Sequence, residues 1–377
     1  MKQTKPLNNP FLLSGYVSPE YFCDREIETE KIISALHNGR NITLISPRRM
    51  GKTGLIYHAF NRIKATEKSH CYYVDLYQTD SLATLVKKLG ETVLGTLDSH
   101  VEQIMKKVST FFKSLRPSVS FNPITGEPDF SLDIQPETAE RSLAEIFCYM
   151  EQTEEPCYIA FDEFQTVAEY ADNHVEALLR SHIQHLHNVQ FIFSGSQKNM
   201  IENMFTSANR PFYQSTQIMH LAAINMETYF GFAATKLHWH GQELNSEAFK
   251  TLYDELFGHT WYIQMLLNRL YDMGVKEITS EQIMQTIADV VKENEATYQT
   301  FLRLITPSQA KVLEAVASER EVASIQSQAF LTSYHLGASS TVKSAVNALI
   351  QKELLLETNG SYSVYDRFFS IWLKARQ

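Results

Sequence analysis

The chain of 377 residues is predicted to form an α/β fold, with helices flanking a parallel sheet, followed by a helical segment and a C-terminal winged helix. In the N-terminal half, short apolar runs alternate with helical patterns, which is typical of a doubly wound parallel sheet. After Leu221 the periodicity is helical, near residues 225–239, 245–256, 259–273 and 280–295. Residues 306–377 predict three helices and a hairpin turning at Asn359-Gly360, the layout of a winged helix.

The composition argues against several classes of protein. With 44% hydrophobic and 20% charged residues, the chain can bury full-sized cores. With a net charge of −9, the chain lacks the overall positive charge of a nonspecific DNA binder, although a local basic patch is still compatible with this charge. The four cysteines form no Cys-x-x-Cys pair, so we expect neither a disulfide framework nor a zinc site. No apolar run is long enough to span a membrane, which predicts a cytoplasmic protein.

The most informative segment follows the apolar run at residues 41–45. It reads Ser46, Pro47, Arg48, Arg49, Met50, Gly51, Lys52 and Thr53, and a helical pattern starts at Gly54. A β-type run, a turn ending in Gly-Lys-Thr and a helix are the layout of a P-loop, so residues 46–54 are candidates for binding nucleotide phosphates. The usual first glycine of the motif is Ser46 here. Gly-Lys-Thr alone also occurs at ordinary helix starts, so the preceding strand carries much of the weight.

Each residue type in the loop suits a phosphate site. Gly51 lacks a Cβ, so the backbone can approach a ligand closely and adopt unusual φ angles. Lys52 would place its ammonium group on the β- and γ-phosphates, and Thr53 would place its hydroxyl on Mg²⁺. The predicted fold class is therefore that of a P-loop NTPase.

A second candidate element is an acid pair at the end of a buried strand. The apolar run at residues 157–161 ends in Asp162 and Glu163. The carboxyl ends of strands are where open α/β sheets bind ligands. Asp162 would bind Mg²⁺ through water, and Glu163 would act as general base on the hydrolytic water. The alternative is an acid pair that only favours the N-terminus of a following helix.

A third apolar run, residues 189–193, ends in Ser194, Gly195 and Ser196. A polar side chain at the tip of this strand could contact the γ-phosphate or the lytic water. Ser194 is the preferred catalytic candidate and Ser196 is the alternative. A plain turn after a core strand explains the pattern equally well.

Together these motifs resemble one family. The chain resembles the archaeal-type ATPases, which are AAA+/STAND-like P-loop proteins, over nearly its whole length. The resemblance is carried by the loop, the acid pair and the third strand end, and by four further segments: Asn9-Pro10-Phe11, residues 22–28, Arg210-Pro211-Phe212-Tyr213 and residues 362–372.

The resemblance implies an ATPase core, a helical lid and a C-terminal winged helix, with ATP and Mg²⁺ as ligands. By position, Arg25 matches a residue near the adenine. His259 matches a polar lid residue that reaches the β-phosphate; the alternative is a partly buried structural histidine. Arg210 matches a candidate arginine finger acting across the interface of a homo-oligomer; the alternative is a surface salt bridge.

The expected organisation has three domains: an ATPase core over residues 1–222, a lid over 223–300 and a winged helix over 301–377. A helical pattern fills residues 82–115. The proline-rich stretch 116–136 predicts a hairpin inserted in the core. Such a hairpin could bind a partner or be a tolerated surface insertion.

Three functions fit the sequence. The first is an ATP-hydrolysing switch, in which ATP orders the lid and winged helix against the core and hydrolysis releases them. The second is an ATP-regulated DNA-binding protein that uses the winged helix, although its predicted recognition helix offers little charge beyond Lys343 and Lys352, which also suits a protein partner. The third is a scaffold that binds ADP or ATP without hydrolysis, for which Ser46 is the only support.

Overall fold

The computed structural model describes residues 7–97, 112–121, 128–358 and 360–376. They form two compact units. The N-terminal unit is Ser14–Ile224, and the C-terminal unit combines residues 225–376 with residues 7–13. The N-terminal residues 7–13 therefore group with the C-terminal unit, although the sequence suggested a core running from residue 1.

A parallel sheet forms the centre of the N-terminal unit. In chain order, the strands of this unit are β1 (Ile42–Ile45), β2 (His70–Asp75), β3 (Arg116–Phe121), β4 (Pro128–Asp133), β5 (Cys157–Asp162), β6 (Val189–Gly195) and β7 (Gln217–His220). Five of them lie side by side in the order β2, β5, β6, β1 and β7, and all neighbours are parallel. The sheet confirms the predicted α/β class; β7 is a strand that the sequence did not predict.

Helices cover both faces of this sheet. They are α1 (Glu26–His37), α2 (Lys52–Thr66), α3 (Leu82–Leu97), α4 (Ala139–Glu151), α5 (Val175–Ile183) and α6 (Lys198–Thr206), with a 3-10 helix at Phe164–Glu169. Strands β5 and β6 are buried along their whole length, as expected for parallel strands covered on both sides. The packing fixes the carboxyl ends of β1, β5 and β6 at one edge, where the candidate residues lie.

The two faces of the sheet carry different cores. On one face the rings of Phe161, Phe191 and Phe193 lie against one another, with centroids 5.8 to 6.2 Å apart. On the other, Leu44 and Ile192 pack among aliphatic residues of α1 and α2. Burial of such side chains stabilises a fold by about 1.5–3 kcal/mol each.

The predicted hairpin insertion is present where the structure describes it. Strands β3 and β4 pair antiparallel, from Arg116 opposite Asp133 to Phe121 opposite Pro128. Their connecting residues 122–127 lie outside the described residues. The preceding helix, expected over 82–115, was predicted too long: α3 is described as far as Leu97, residues 98–111 lie outside the described residues, and residues 112–115 are not helical.

The first part of the C-terminal unit is helical, as predicted. It contains α7 (Met226–His238), β8 (Glu243–Leu244), α8 (Ser246–Glu255), α9 (Thr260–Met273), β9 (Glu277–Ile278), α10 (Ser280–Glu293) and α11 (Glu295–Arg303). The Asn9-Pro10-Phe11 segment is fixed on α9. The Asn9 side-chain amide donates to the Asn268 carbonyl at 2.9 Å, and the Asn268 amide donates to the Phe11 carbonyl at 2.8 Å. The Phe11 ring meets the edge of Tyr271 at 6.0 Å.

The last part has the layout of a winged helix. It contains α12 (Pro307–Glu319), α13 (Gln328–Ser333), α14 (Ser339–Gln351), the antiparallel strands β10 (Leu355–Thr358) and β11 (Ser361–Val364), and α15 (Arg367–Ala375). The sequence predicted three helices here; α15, which follows the hairpin, is a fourth. Thr306 and Gln309 form a reciprocal capping box on either side of Pro307, at the start of the first of the helices predicted for this region. Within the described part of the chain, no helix combines the length and apolarity that a membrane crossing requires.

Candidate active site

The loop between β1 and α2 has the backbone of an anion site. Arg49 and Gly51 have left-handed φ angles of 64° and 98°. A loop that alternates in this way turns successive N–H groups toward one point, and the N-terminus of α2 adds its own free N–H groups. Gly51 is the helix N-cap, in a conformation that glycine adopts without steric cost.

Ser46 does not disturb this loop. Its side chain is 2% exposed and its hydroxyl donates to the Pro47 carbonyl at 3.0 Å. The left-handed residues of the loop are Arg49 and Gly51, so the position of the usual first glycine does not require glycine here for its φ angle. Ser46 therefore gives no backbone reason for a degenerate site.

Lys52, the first residue of α2, is 6% exposed and folds back on the loop. Its ammonium donates to the Ser46 carbonyl at 2.9 Å and to the Pro47 carbonyl at 3.2 Å. Burial lowers the pKa of Lys52, while the negative charges of Asp162 and Glu163 act in the opposite direction. In this structure the loop carbonyls bind the Lys52 ammonium, and the phosphate oxygens of a nucleotide would replace them as its partners.

Thr53 and Asp162 meet, although 109 positions separate them along the chain. The Thr53 hydroxyl donates to Asp162 Oδ2 at 3.1 Å. The phenol of Tyr73, on β2, donates to the same oxygen. Hydroxyl and carboxylate oxygens are the ligands that Mg²⁺ prefers, so this donor set fits the cation. Asp162 is 5% exposed.

A sharp turn after β5 separates the two acids. Asp162 Oδ1 accepts the backbone N–H of Glu163 at 3.0 Å, and Glu163 has a left-handed φ of 53°. A non-glycine residue in that region costs about 1–3 kcal/mol, which the surrounding structure must offset. The turn directs two adjacent carboxylates to different partners.

Polar neighbours hold the Glu163 carboxylate. Its Oε2 accepts the Ser196 hydroxyl at 2.7 Å, the Ser196 N–H at 3.3 Å and the Gln165 amide at 2.6 Å. The Ser196 hydroxyl also accepts Arg48 Nε at 3.3 Å. Gly195 makes room for this arrangement, because a Cβ there would lie 2.3 Å from Gln165 Oε1.

Ser194 lies two residues before Ser196 and is not part of this network. It is inside β6, paired with Leu44, and fully buried; its hydroxyl has no hydrogen-bond partner among the described residues. Ser196, the alternative candidate, follows the strand end at Gly195 and contacts Glu163. The structure thus places Ser196 on the general-base candidate and leaves Ser194 in the sheet.

Other loop residues surround this centre. Met50 is 8% exposed, Arg49 is exposed, and the Arg48 guanidinium lies 5.9 Å from the centre of the Tyr77 ring. Gly54, in the first turn of α2, lies beside the Phe22 ring. Met50 is thus on the buried side of the loop and Arg49 on its solvent side.

Arg25 is the N-cap of α1, with a left-handed φ of 68°. It is 4% exposed; one terminal nitrogen donates to Glu28 at 3.0 Å and the other has no partner among the described residues. Phe22, three residues earlier, stacks on His58 of α2 with ring centroids 4.4 Å apart. A buried hydrogen-bond donor and an aromatic ring pair are groups that an adenine ring could contact.

Arg210 forms an ion pair within its own chain. Its guanidinium pairs with Glu176 at 2.6 Å, and the Glu176 side chain is 6% exposed. Burial raises the pKa of Glu176, while Arg210 and the Phe212 N–H act in the opposite direction. A finger role would require this pair to separate.

His259 belongs to the C-terminal unit. It is the N-cap of α9, follows Gly258 with its left-handed φ of 65°, and meets the Tyr262 ring edge-on at 4.7 Å. Its predicted role toward a phosphate remains a prediction.

Two family models match the chain. Residues 22–266 match the family described as an ATPase domain predominantly from Archaea. The chain belongs to this ATPase family. Residues 296–375 match a probable winged helix domain, which agrees with the helices and hairpin of that region. The comparison with curated proteins finds no relative.

Solved structures with this ATPase fold include archaeal proteins. The Walker-type ATPase paby2304 of Pyrococcus abyssi is 17% identical, with a TM-score of 0.65 over 97% of this chain and 99% of that one. The Aeropyrum pernix ORC2 protein, solved as ADPNP–ADP complexes, is 14% identical, with a TM-score of 0.56 over 97% and 98%. The ORC1 protein of the same organism, solved with DNA, is 12% identical, with a TM-score of 0.53 over 98% and 97%. These TM-scores, each over nearly the whole of both chains, show a shared fold, that of a P-loop ATPase with a winged helix.

Sequence reasoning missed two members of the site. Tyr73 was not singled out, because a tyrosine in a predicted strand is ordinarily a core residue. Gln165 was part of the acid segment but had no role. The sequence carries no local signal for Tyr73: it lies two residues before the end of β2, and the pairing of β2 with the acid strand β5 is known only from the structure.

Proposed function

We propose that this chain binds ATP with Mg²⁺, hydrolyses it, and uses the nucleotide state as a conformational switch. The observation that carries the proposal is the convergence of Lys52, Thr53, Asp162 and Glu163 at the carboxyl edge of the sheet. Thr53 bonds Asp162 at 3.1 Å, and Asp162 and Lys52 are both buried. An ordinary helix start would not need a buried lysine beside a buried acid.

The loop and Lys52 would bind the phosphates. Backbone N–H groups of the loop and of α2 supply fixed partial positive charge. Lys52 exchanges its contacts to the Ser46 and Pro47 carbonyls for phosphate oxygens, which carry full negative charge and bind an ammonium more strongly. Thr53 and Asp162 would hold Mg²⁺, which supplies charge neutralisation at the phosphate oxygens.

Glu163 would act as the general base. A water that attacks the γ-phosphate must lose a proton, and Glu163 is the carboxylate next to Asp162 in the site. Ser196 and Gln165 orient its Oε2 through bonds of 2.7 and 2.6 Å. The other oxygen, Oε1, is the atom we assign to the water. Phosphate and ADP are then the products.

In the C-terminal unit, the residues around His259 contact the winged helix, an arrangement that suits a conformational switch. The Arg367 guanidinium of α15 lies 4.2 Å from the centre of the Phe257 ring. Phe368 meets the Tyr262 ring at 5.2 Å, and Arg320 pairs with Glu255 at 2.7 Å. The segment on either side of His259 is thereby held by the winged helix. A change at this segment would be passed directly to that domain.

Tryptophan emission tests the switch without a label. The three tryptophans, Trp239, Trp261 and Trp372, all belong to the C-terminal unit, whereas the phosphate loop belongs to the other. We expect saturating Mg²⁺-ATP to change tryptophan emission and ADP to change it differently. Lys52→Ala should need a much higher nucleotide concentration to show either change. An emission spectrum that stays constant while a separate assay reports bound ATP would contradict the switch.

The second candidate function is ATP-regulated DNA binding. The observation in its favour is the winged helix, whose α14 exposes Lys343 among serine, threonine and asparagine side chains. The fold is shared with a protein solved in complex with DNA. Protein partners remain an alternative, because one lysine is a weak phosphate-tracking surface.

Salt dependence of duplex binding tests this second function. Lys343→Ala is expected to weaken binding and to reduce the slope of log K against log salt by about 1, because one phosphate contact is lost. Lys311→Ala, an exposed lysine on α12, is the matched control. The absence of any duplex binding by the parent chain at low salt, with or without ATP, would exclude the function.

A further inference from the structure

Tyr73 completes the hydrogen bonding of the candidate metal acid. Its phenol donates to Asp162 Oδ2, the oxygen that also accepts the Thr53 hydroxyl at 3.1 Å. The Tyr73 and Thr53 hydroxyl oxygens are 3.5 Å apart. Asp162 Oδ1 accepts the Glu163 N–H at 3.0 Å. Three donors from three different elements thus converge on one carboxylate.

We propose that Tyr73 is a positioning residue that fixes Asp162 for binding the metal ion that accompanies ATP. This inference rests on the proposed function. A carboxylate has about four acceptor positions, and three of them are taken here. The fixed orientation leaves Asp162 Oδ1 with room for one more donor, such as a metal-bound water, and it keeps Thr53 donating its proton so that its oxygen lone pairs face away from the acid.

The fold explains why this tyrosine can reach the acid. β2 and β5 are neighbours, with Tyr73 opposite Ala160 and Asp75 opposite Asp162. The side chain therefore needs only to lean along the strand direction to meet Asp162. Tyr57 of α2 supports the ring, with centroids 4.8 Å apart. A half-buried phenol held by a second ring has little freedom to leave the carboxylate.

An alternative is that Tyr73 only packs at the end of the sheet. A packing role predicts that its hydroxyl is dispensable, whereas a positioning role predicts that the hydroxyl alone matters for the metal. Removing a group that orients a metal ligand typically weakens metal affinity about 10- to 100-fold. Tyr73→Phe removes the hydroxyl and keeps the ring.

The neighbouring Tyr72 provides a matched control. It lies on the same strand, faces the other side of the sheet and is 1% exposed; its hydroxyl has no hydrogen-bond partner among the described residues. Tyr72→Phe therefore makes the same chemical change without touching Asp162.

The test is a Mg²⁺ titration of mant-ATP binding, followed by fluorescence, for the full chain and both variants. We expect Tyr73→Phe to raise the Mg²⁺ concentration at half-saturation by about tenfold or more. Binding of mant-ATP in EDTA should match that of the parent, circular dichroism should show a folded nucleotide-free protein, and Tyr72→Phe should have the Mg²⁺ midpoint of the parent.

Two outcomes would overturn the inference, and they are distinguishable. If the parent binds mant-ATP in a Mg²⁺-dependent way and Tyr73→Phe has the same Mg²⁺ midpoint, the positioning role is wrong and the proposed function stands. If the parent binds no mant-ATP at any Mg²⁺ concentration, the proposed function fails and the role of Tyr73 fails with it.

Discussion

Replacing Lys52 by alanine is expected to weaken ATP binding by about 10- to 150-fold, since a hydrogen bond to a charged group contributes about 1.5–3 kcal/mol. Lys52 is the buried cation of the loop, and its present partners are two carbonyls that phosphate oxygens would replace. Its position at the start of α2 also adds to the positive end of the helix. The measurement is equilibrium binding of mant-ATP with Mg²⁺.

Lys64→Ala is the control for this change. Lys64 lies on the same helix and is exposed, so its loss alters the charge of α2 without touching the loop. Circular dichroism of both variants should match the parent. Equal ATP affinity in Lys52→Ala and the parent would show that the loop does not hold the phosphates.

Replacing Glu163 by glutamine is expected to leave ATP binding intact and to lower hydrolysis by about 10²- to 10⁴-fold, the usual contribution of a general base. Glutamine has nearly the same shape, and its side-chain oxygen can still accept the Ser196 hydroxyl. It cannot take a proton from water. The variant should therefore retain ATP rather than ADP after incubation, which separation of the bound nucleotide by chromatography would show.

Glu169→Gln makes the same chemical change nearby. Glu169 ends the 3-10 helix that starts just after Glu163, and it is exposed. Its variant should hydrolyse ATP like the parent. Parent-like hydrolysis by Glu163→Gln would assign the base to another group, and loss of binding in the same variant would mean that Glu163 contributes to nucleotide affinity.

The parts of the molecule that the sequence predicts are those with local signals. The strand before Ser46 and the run that ends at Asp162 are mostly apolar segments, so their burial follows from composition, and their parallel pairing follows from the alternation of strand and helix patterns. The capping box at Thr306 and the hairpin of the winged helix likewise depend on a few residues adjacent in sequence.

The parts that the sequence does not predict depend on distant partners. No sequence pattern near Tyr73 predicts its hydrogen bond to Asp162, and none near Arg210 predicts its ion pair with Glu176. The choice between Ser194 and Ser196 depends on where β6 ends, which helix and strand patterns locate only to within a few residues. Grouping of residues 7–13 with α9 arises from contacts such as that of Asn9 with Asn268.

Phosphate release from Mg²⁺-ATP by the purified chain, measured beside Glu163→Gln and with and without duplex DNA, tests the central claim most directly. The account predicts turnover by the parent, its loss in the variant, and tightly bound ATP in both before turnover. Stimulation by DNA would assign the winged helix to nucleic acid. Bound ATP that the parent never hydrolyses, with or without DNA, would contradict the account and favour a scaffold that only holds the nucleotide.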